Sequence, residues 1–226
     1  MKHYAIIVAG GSGSRMQSAV PKQFLLLNRL PVLMHTMRAF EQTCITPDII
    51  LVLPASYHAY WQQLCDVHGF NTPHLLVAGG ETRFYSVKNG LDQILDDNAL
   101  VAVHDAVRPL TSRVIIETSY KHAEKHGNAV TAVKSRDSVR QVTNGSSVSL
   151  LRDQIYLVQT PQTFNAGLLK KAYEQSYSES FTDDASVVEQ YGVEIRLTDG
   201  DYQNIKITFP EDIAIAELLL NKKPLT

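Results

Sequence analysis

The sequence predicts an α/β fold of Rossmann-like type: a mostly parallel sheet with helices on both faces, plus a projecting β-hairpin arm. Three observations predict it. Short continuous apolar runs recur at 4–8, 49–53, 100–103 and 129–133, as strands buried on both faces do. Segments with apolar residues at helical spacing alternate with them, the pattern of βαβ units with right-handed crossovers. A glycine-rich turn directly follows the first run, at the carboxyl end of a strand where such sheets bind ligands.

The elements follow in chain order. Tyr4-Ala5-Ile6-Ile7-Val8 is the first strand. Residues 31–42 carry Val32, Leu33, Thr36, Met37 and Phe40 at helical spacing, and Pro31 suits the first helical position. Ile49-Ile50-Leu51-Val52-Leu53, bounded by Pro47-Asp48 and Pro54, is a buried strand. Ser56 is expected to cap a helix running to His68. Leu75-Leu76-Val77 is a short strand that ends at Gly79-Gly80, and 83–94 presents Val87, Leu91 and Ile94 on one helical face. Leu100-Val101-Ala102-Val103 and Ala129-Val130-Thr131-Ala132-Val133 are two more buried strands, separated by a helix over 112–126 that Gly127 stops.

From 135 to 158 the pattern changes to polar alternation on both sides of Asn144-Gly145, a hairpin signature, with the second strand expected over 148–156. Few of these residues could join a core, so the ribbon should project, and an isolated two-stranded ribbon is marginal in water without a partner. Gln159-Thr160-Pro161-Gln162-Thr163-Phe164 reads as an extended turn at a proline. Thr182-Asp183 reads as a helix N-cap, and Lys206 is expected at a strand end within Asn204-Ile205-Lys206-Ile207-Thr208. Thr208 and Glu211 have the spacing of a capping box opening a last helix to Leu220.

At 226 residues the chain is expected to be a single domain, residues 1–226, of which 135–158 is the arm. Hydrophobic residues make up 44% and charged residues 19%, which is ordinary for a globular protein. A net charge of −2, from 21 basic and 23 acidic residues, gives no bulk field toward nucleic acid or an anionic membrane. No apolar run approaches the length of a spanning helix, and Met1-Lys2-His3 leads into a strand without a secretory leader. Cys44 and Cys65 are too few for a disulfide framework and too far apart for a CxxC site. The expectation is a cytoplasmic protein with reduced thiols, without nucleic-acid or membrane partners.

The chemistry concentrates in Val8-Ala9-Gly10-Gly11-Ser12-Gly13-Ser14-Arg15-Met16, continued by Pro21-Lys22-Gln23. Glycines let the backbone approach a ligand closely, and consecutive N–H groups in such a turn form an anion-binding concavity. Arg15 and Lys22 add full positive charge, so the stretch suits a phosphate chain. A Gly-Lys-Ser/Thr P-loop is excluded, because no Gly-Lys pair occurs. The dinucleotide fingerprint fails because Met16 stands where the third glycine belongs and Leu53-Pro54 offers no ribose-binding acid. A hydrolase elbow fails at Ser14. The second concentration is His104-Asp105-Ala106-Val107-Arg108-Pro109, directly after a buried strand. A carboxylate there can ligate Mg²⁺ shared with nucleotide phosphates, and the planar fork of Arg108 can hold a further phosphate. His104 has no second histidine or cysteine at ligand spacing and reads as structural.

These motifs resemble the nucleotidyltransferases that make sugar and polyol nucleotides, and HDAVRP narrows the resemblance to the cytidylyltransferases acting on methylerythritol phosphate. The resemblance runs from residue 4 to 220, with six motifs in order. It implies that Arg15, Lys22, Asp105 and Lys206 serve catalysis, that Asp105 lies beside Mg²⁺, and that CTP and a polyol phosphate are the substrates. It implies that Ala9, Gly10, Gly11, Ser12, Gly13, Gly80 and Ser86 hold the nucleotide. It further implies that Arg108, Ser138, Arg152, Thr160 and Thr182 bind the acceptor, with Ser138 and Arg152 reaching a second subunit's site from an arm that makes a homodimer. Two places depart from the family pattern: Lys134-Ser135 stands for Pro-Val before the arm, and Gln203 replaces an acid found in some relatives, so a second metal carboxylate is not implied. A ribitol 5-phosphate cytidylyltransferase shares most of the motifs. A nucleotide-binding regulator without turnover would not need all four of Arg15, Lys22, Asp105 and Lys206.

Overall fold

The computed structural model describes residues 1–10 and 20–221. The loop residues Gly11, Ser12, Gly13 and Arg15 therefore lie outside the described residues. In chain order the elements are β1 (His3–Val8), β2 (Leu26–Leu27), β3 (Leu30–Pro31), α1 (Val32–Glu41), β4 (Asp48–Leu53), α2 (His58–His68), β5 (Leu75–Ala78), α3 (Arg83–Leu91), β6 (Leu100–Asp105), α4 (Arg113–His126), β7 (Asn128–Lys134), β8 (Arg140–Thr143), β9 (Ser146–Ser149), β10 (Tyr156–Asn165), α5 (Ala166–Ala172), α6 (Asp184–Gln190), β11 (Leu197–Asp199) and α7 (Glu211–Asn221).

The central sheet has the order β11-β7-β10-β6-β1-β4-β5. β1 pairs in parallel with both β4 and β6, β4 with β5, and β11 with β7; β10 alone runs antiparallel, between β6 and β7. The alternation along β1 explains the two-sided core. Ala5 and Ile7 pack with Leu33, Met37, Trp61 and Ile116 of α1, α2 and α4 on one face. Ile6 and Val8 pack with Val87, Leu91, Leu169 and Val187 of α3, α5 and α6 on the other. Both faces of the strand lose water, which is why its sequence is apolar throughout instead of alternating.

α4 begins where the sequence predicts, with the Ser112 hydroxyl accepting from the Ile115 N–H at 3.3 Å, and it stops at Gly127. The arm turns at Asn144 and Gly145, whose φ angles of 50° and 78° match a tight hairpin turn. No described helix is long and apolar enough to cross a membrane.

Several local expectations are corrected. Ser56 lies inside a 3-10 turn, Ala55–Tyr57, and α2 starts without a side-chain cap. α3 ends at Leu91, although Ile94 still packs into the core. The second arm strand stops at Ser149, and a 3-10 turn at Arg152–Gln154 intervenes before the chain returns to the body. Gln159 to Phe164 is not a turn but part of the long strand β10, because its backbone completes the ladders of β6 and β7, with a register shift between Val158 and Gln162 that absorbs Pro161. The 204–208 segment is not a strand. It is held by individual bonds, such as the Ile207 N–H to the Val107 carbonyl at 2.9 Å. The cap of α7 uses Asp212 in place of Glu211: its Oδ2 accepts from the Thr208 and Phe209 N–H groups at 2.7 and 2.8 Å.

Candidate active site

The strand registers assemble the site. Val8 lies opposite Asp105 of β6 and Val52 of β4, so the loops that follow all three strands share one rim of the sheet. From β1 the chain first builds β4 and β5 on one side and then returns to β6 on the other, and the gap this leaves at the carboxyl ends is where doubly wound sheets take ligands. Backbone bonds lock the rim: the Ala9 N–H donates to the Val52 carbonyl at 2.8 Å, Gly79 to Leu53 at 3.0 Å, and Ala106 to Val8 at 3.1 Å.

Asp105 is the centre of the charge distribution. It is 8% exposed, and its Oδ2 accepts from Arg108 Nε at 3.0 Å and lies 3.1 Å from Lys206 Nζ. Its own N–H donates to the Thr160 hydroxyl at 3.1 Å. Burial alone would push the Asp105 pKa up. The positive charges of Lys206, Arg108 and Arg83 outweigh burial and hold the carboxyl well below the usual carboxylate range. Its Oδ1 has no hydrogen-bond donor among the described residues and stays available to a ligand. His104 beside it is fully buried against Phe40, and burial pushes its pKa down to about 3, so the ring is neutral and structural, as the sequence suggests.

These side chains open onto a cleft of about 250 Å³ lined by Asp105, Arg108, Lys206, Thr160, Thr182, Asp183, Arg83 and parts of β10. Three cationic side chains against two carboxylates suit an anionic ligand. The 204–208 segment reaches the cleft through Asn204, whose amide donates to Gln159 Oε1 at 3.2 Å and to the Thr160 carbonyl at 2.9 Å, while its carbonyl accepts from Arg108 Nη1 at 2.8 Å. Lys22 is 8% exposed and donates from Nζ to the Ile207 carbonyl at 3.0 Å, which brings it beside the residue next to Lys206.

Ala9, Gly10, Gly80 and Ser86 form a second wall. The Gly80 N–H donates to Ser86 Oγ at 3.1 Å, and Ser86 Oγ donates to the Thr82 carbonyl at 2.9 Å. A Cβ on Gly10 would lie 3.3 Å from Ser86 Oγ, a tight contact, and one on Gly80 would collide with Tyr85, so the wall demands glycine at Gly80 and leaves little room at Gly10. Gln23, adjacent to Lys22, donates to the Ala9 carbonyl at 3.0 Å and ties this wall to the segment that carries Lys22.

Ser138 and Arg152 are brought together, but elsewhere. They line a separate concavity of about 510 Å³ at the root of the arm, which shares no residue with the Asp105 cleft. Sequence reasoning also missed residues: Gln159 and Gln162 are buried polar groups inside an apolar sheet, and Asp183 is held by Gln162 Nε2 at 2.9 Å. The signal was present, since two glutamines flanking Thr160-Pro161 in a stretch ending in Phe164 need partners if buried.

The match to known proteins is extensive. The family model described as 2-C-methyl-D-erythritol 4-phosphate cytidylyltransferase matches residues 3–222. The protein of that name from Bacteroides thetaiotaomicron is 48% identical over 220 residues, covering 97% of this chain and 100% of the relative. Its counterpart from Porphyromonas gingivalis is also 48% identical, covering 97% and 98%. Among solved structures, the 4-diphosphocytidyl-2C-methyl-D-erythritol synthase of Anaerococcus prevotii superposes with a TM-score of 0.83 at 29% identity, covering 98% of this chain and 96% of that one. The 2-C-methyl-D-erythritol 4-phosphate cytidylyltransferase of Thermus thermophilus superposes at 0.75 with 27% identity, covering 98% and 100%. With the whole described chain accounted for, and a phosphate-suited cleft at the expected rim of the sheet, this chain belongs to the 2-C-methyl-D-erythritol 4-phosphate cytidylyltransferase family of nucleotidyltransferases.

Proposed function

We propose that the chain transfers the cytidylyl group of CTP to 2-C-methyl-D-erythritol 4-phosphate by direct displacement. A phosphate oxygen of the acceptor attacks the α-phosphorus of CTP. The bond from that phosphorus to the bridging oxygen breaks, and pyrophosphate leaves with its electron pair. The products are 4-diphosphocytidyl-2-C-methyl-D-erythritol and pyrophosphate, in a step of isoprenoid precursor synthesis. No covalent enzyme intermediate is needed, so the protein contributes positioning and charge stabilisation. The observation that carries the reading is the cleft in which Asp105, Arg108, Lys206, Thr160 and Thr182 converge beside the wall of Ala9, Gly10, Gly80 and Ser86.

In this reading Gly80 and Ser86 flank the base, with Ala9 and Gly10, while Lys22, Arg15 and Lys206 neutralise the phosphates. Arg108, Thr160 and Thr182 receive the acceptor. Mg²⁺ is the expected cofactor. The open Oδ1 of Asp105 fits it, since Mg²⁺ is commonly held by one or two carboxylates with substrate phosphates supplying further oxygens. When bound, the metal would neutralise charge on the nucleotide phosphates.

The arm is proposed to make a homodimer and to carry Ser138 and Arg152 to the acceptor side of the second subunit's cleft. Val142, Val148, Leu151 and Leu157 are 51–70% exposed, more apolar surface than a two-stranded ribbon can leave in water at no cost. Pyrophosphate release from CTP, measured with methylerythritol phosphate, ribitol 5-phosphate and no acceptor, tests the reaction. The highest kcat/KM is expected with methylerythritol phosphate, at most about 10–200-fold above ribitol phosphate, because a methyl-sized difference discriminates no more strongly. Reversed preference would transfer the chain to the ribitol enzyme, and release without acceptor would refute direct displacement. Chelation should abolish activity and added Mg²⁺ restore it; indifference to chelation removes the metal from the mechanism.

A further inference from the structure

Arg83, the first residue of α3, occupies two environments at once. Nη1 and Nη2 donate to the two carboxylate oxygens of Asp184 at 3.0 and 2.6 Å. Asp184 is fully buried, and the Tyr173 hydroxyl donates to its Oδ1 at 2.6 Å. The Arg83 side chain nevertheless remains 31% exposed and lines the cleft with Asp105. A guanidinium carries five N–H donors in a rigid fork. Two of them serve Asp184, and the others have no protein acceptor among the described residues.

The other two cations of the cleft are differently committed. Arg108 and Lys206 both contact Asp105 Oδ2, and Arg108 also donates to the Asn204 carbonyl. Arg83 makes no hydrogen bond to Asp105, so its open edge is the less engaged positive group in the cleft. The edge is also held still. Phe84, next in sequence, stacks on Tyr173 at 4.6 Å and on Phe181 at 5.6 Å between ring centroids, with interplanar angles of 21° and 17°. The start of α3 is thereby fastened to the wall that carries Thr182 and Asp183 by an ion pair and by an aromatic stack. A cation needed only to neutralise Asp184 has no reason to face the cleft.

Resting on the reaction proposed above, we infer that Arg83 binds a phosphate oxygen of the polyol phosphate acceptor through the edge that Asp184 leaves open. Asp184 and Tyr173 are then positioning residues that aim the guanidinium. The shared chemistry, a phosphate oxygen, could belong to acceptor or nucleotide, and the kinetics separate the two.

The test is a double variant, Arg83→Met with Asp184→Asn, which removes the cation without leaving a buried carboxylate unpaired. It should melt near the unaltered protein, because the pair is removed together. Its KM for methylerythritol phosphate should rise about tenfold or more, the size of a lost charge-assisted hydrogen bond, while the KM for CTP stays within about twofold. An unchanged acceptor KM overturns the inference, and a rise confined to CTP reassigns Arg83 to the nucleotide and overturns it too. Should the double variant not fold, Arg83→Lys serves, since it keeps a charge beside Asp184 but cannot reach the cleft at the same time. It should show the same acceptor-specific rise, and an unaltered acceptor KM would again refute the role. If the unaltered protein fails to turn over methylerythritol phosphate with CTP, the reaction itself falls, before any variant is compared.

Discussion

Lys22 shows how a single side chain can be legible in sequence yet explained only by structure. Its position after a glycine-rich turn marks it as a phosphate ligand, but a lysine 8% exposed needs an acceptor to offset the loss of water. The Ile207 carbonyl, 185 residues away, supplies it at 3.0 Å. The ammonium is thereby held in place before substrate arrives, and removing such a preorganised charge costs on the order of 10²–10³ in rate. Lys22→Ala should lose turnover by about that factor or more while keeping its far-ultraviolet dichroism, and Arg15→Ala should do likewise. Turnover near the unaltered level in both would remove the cations from the mechanism. Asp105 and Arg108 were legible for another reason: charged residues at the end of a buried strand or directly after it have no packing explanation. Arg83 was not, because its partner Asp184 is 101 residues distant and its own surroundings, Thr82-Arg83-Phe84, read as an ordinary helix start.

Elements were legible where local chemistry decides them. Ser112 and Gly127 bound α4 because a hydroxyl can take the orphan N–H of Ile115 and a glycine can leave the helix. Ser112→Ala should therefore destabilise the protein by about 1 kcal/mol, lowering Tm by roughly 2–4 °C, the scale for a chain of this size. An unchanged melting curve would show that the cap bond at 3.3 Å contributes nothing. β10 was missed for the opposite reason. Pro161 and two glutamines argue against a central strand, and only the tertiary pairing of Phe164 with Val101 and of Val158 with Ala132 overrides them. The bulge beside Pro161 also serves the site, since it turns Thr160 so that its hydroxyl meets the Asp105 N–H. The 204–208 segment misled similarly. Its apolar alternation reads as a strand, but the bonds of Asn204 to Gln159 and Thr160 shape it as an irregular loop.

At the scale of the whole molecule, the cleft and the arm pose one problem. The cleft is lined by Thr160, Thr182 and Arg108, proposed above to receive the acceptor, while Ser138 and Arg152, expected to bind the same acceptor, line a concavity that shares no residue with it. Among the described residues of one chain the arm is tied to the body at its root, where the Arg136 guanidinium sits 3.4 Å over the Tyr202 ring centroid and the Tyr202 hydroxyl donates to the Lys134 carbonyl at 2.9 Å. Beyond that root, β8 and β9 pair only with each other and expose every residue. In the homodimer proposed above, a second copy would cover this ribbon and Arg152 would serve the other cleft. The consequence is testable by mixing. Lys22→Ala and Arg152→Ala proteins should each be nearly inactive. After denaturation and refolding together, half of the dimers would pair one chain of each kind. Each of those would contain one site built from an intact loop and an intact arm, and one site with both defects. About a quarter of all sites, and so about a quarter of the unaltered activity, should return. Mixed dimers isolated through two different affinity tags and still inactive would mean that the arm serves the cleft of its own chain or none.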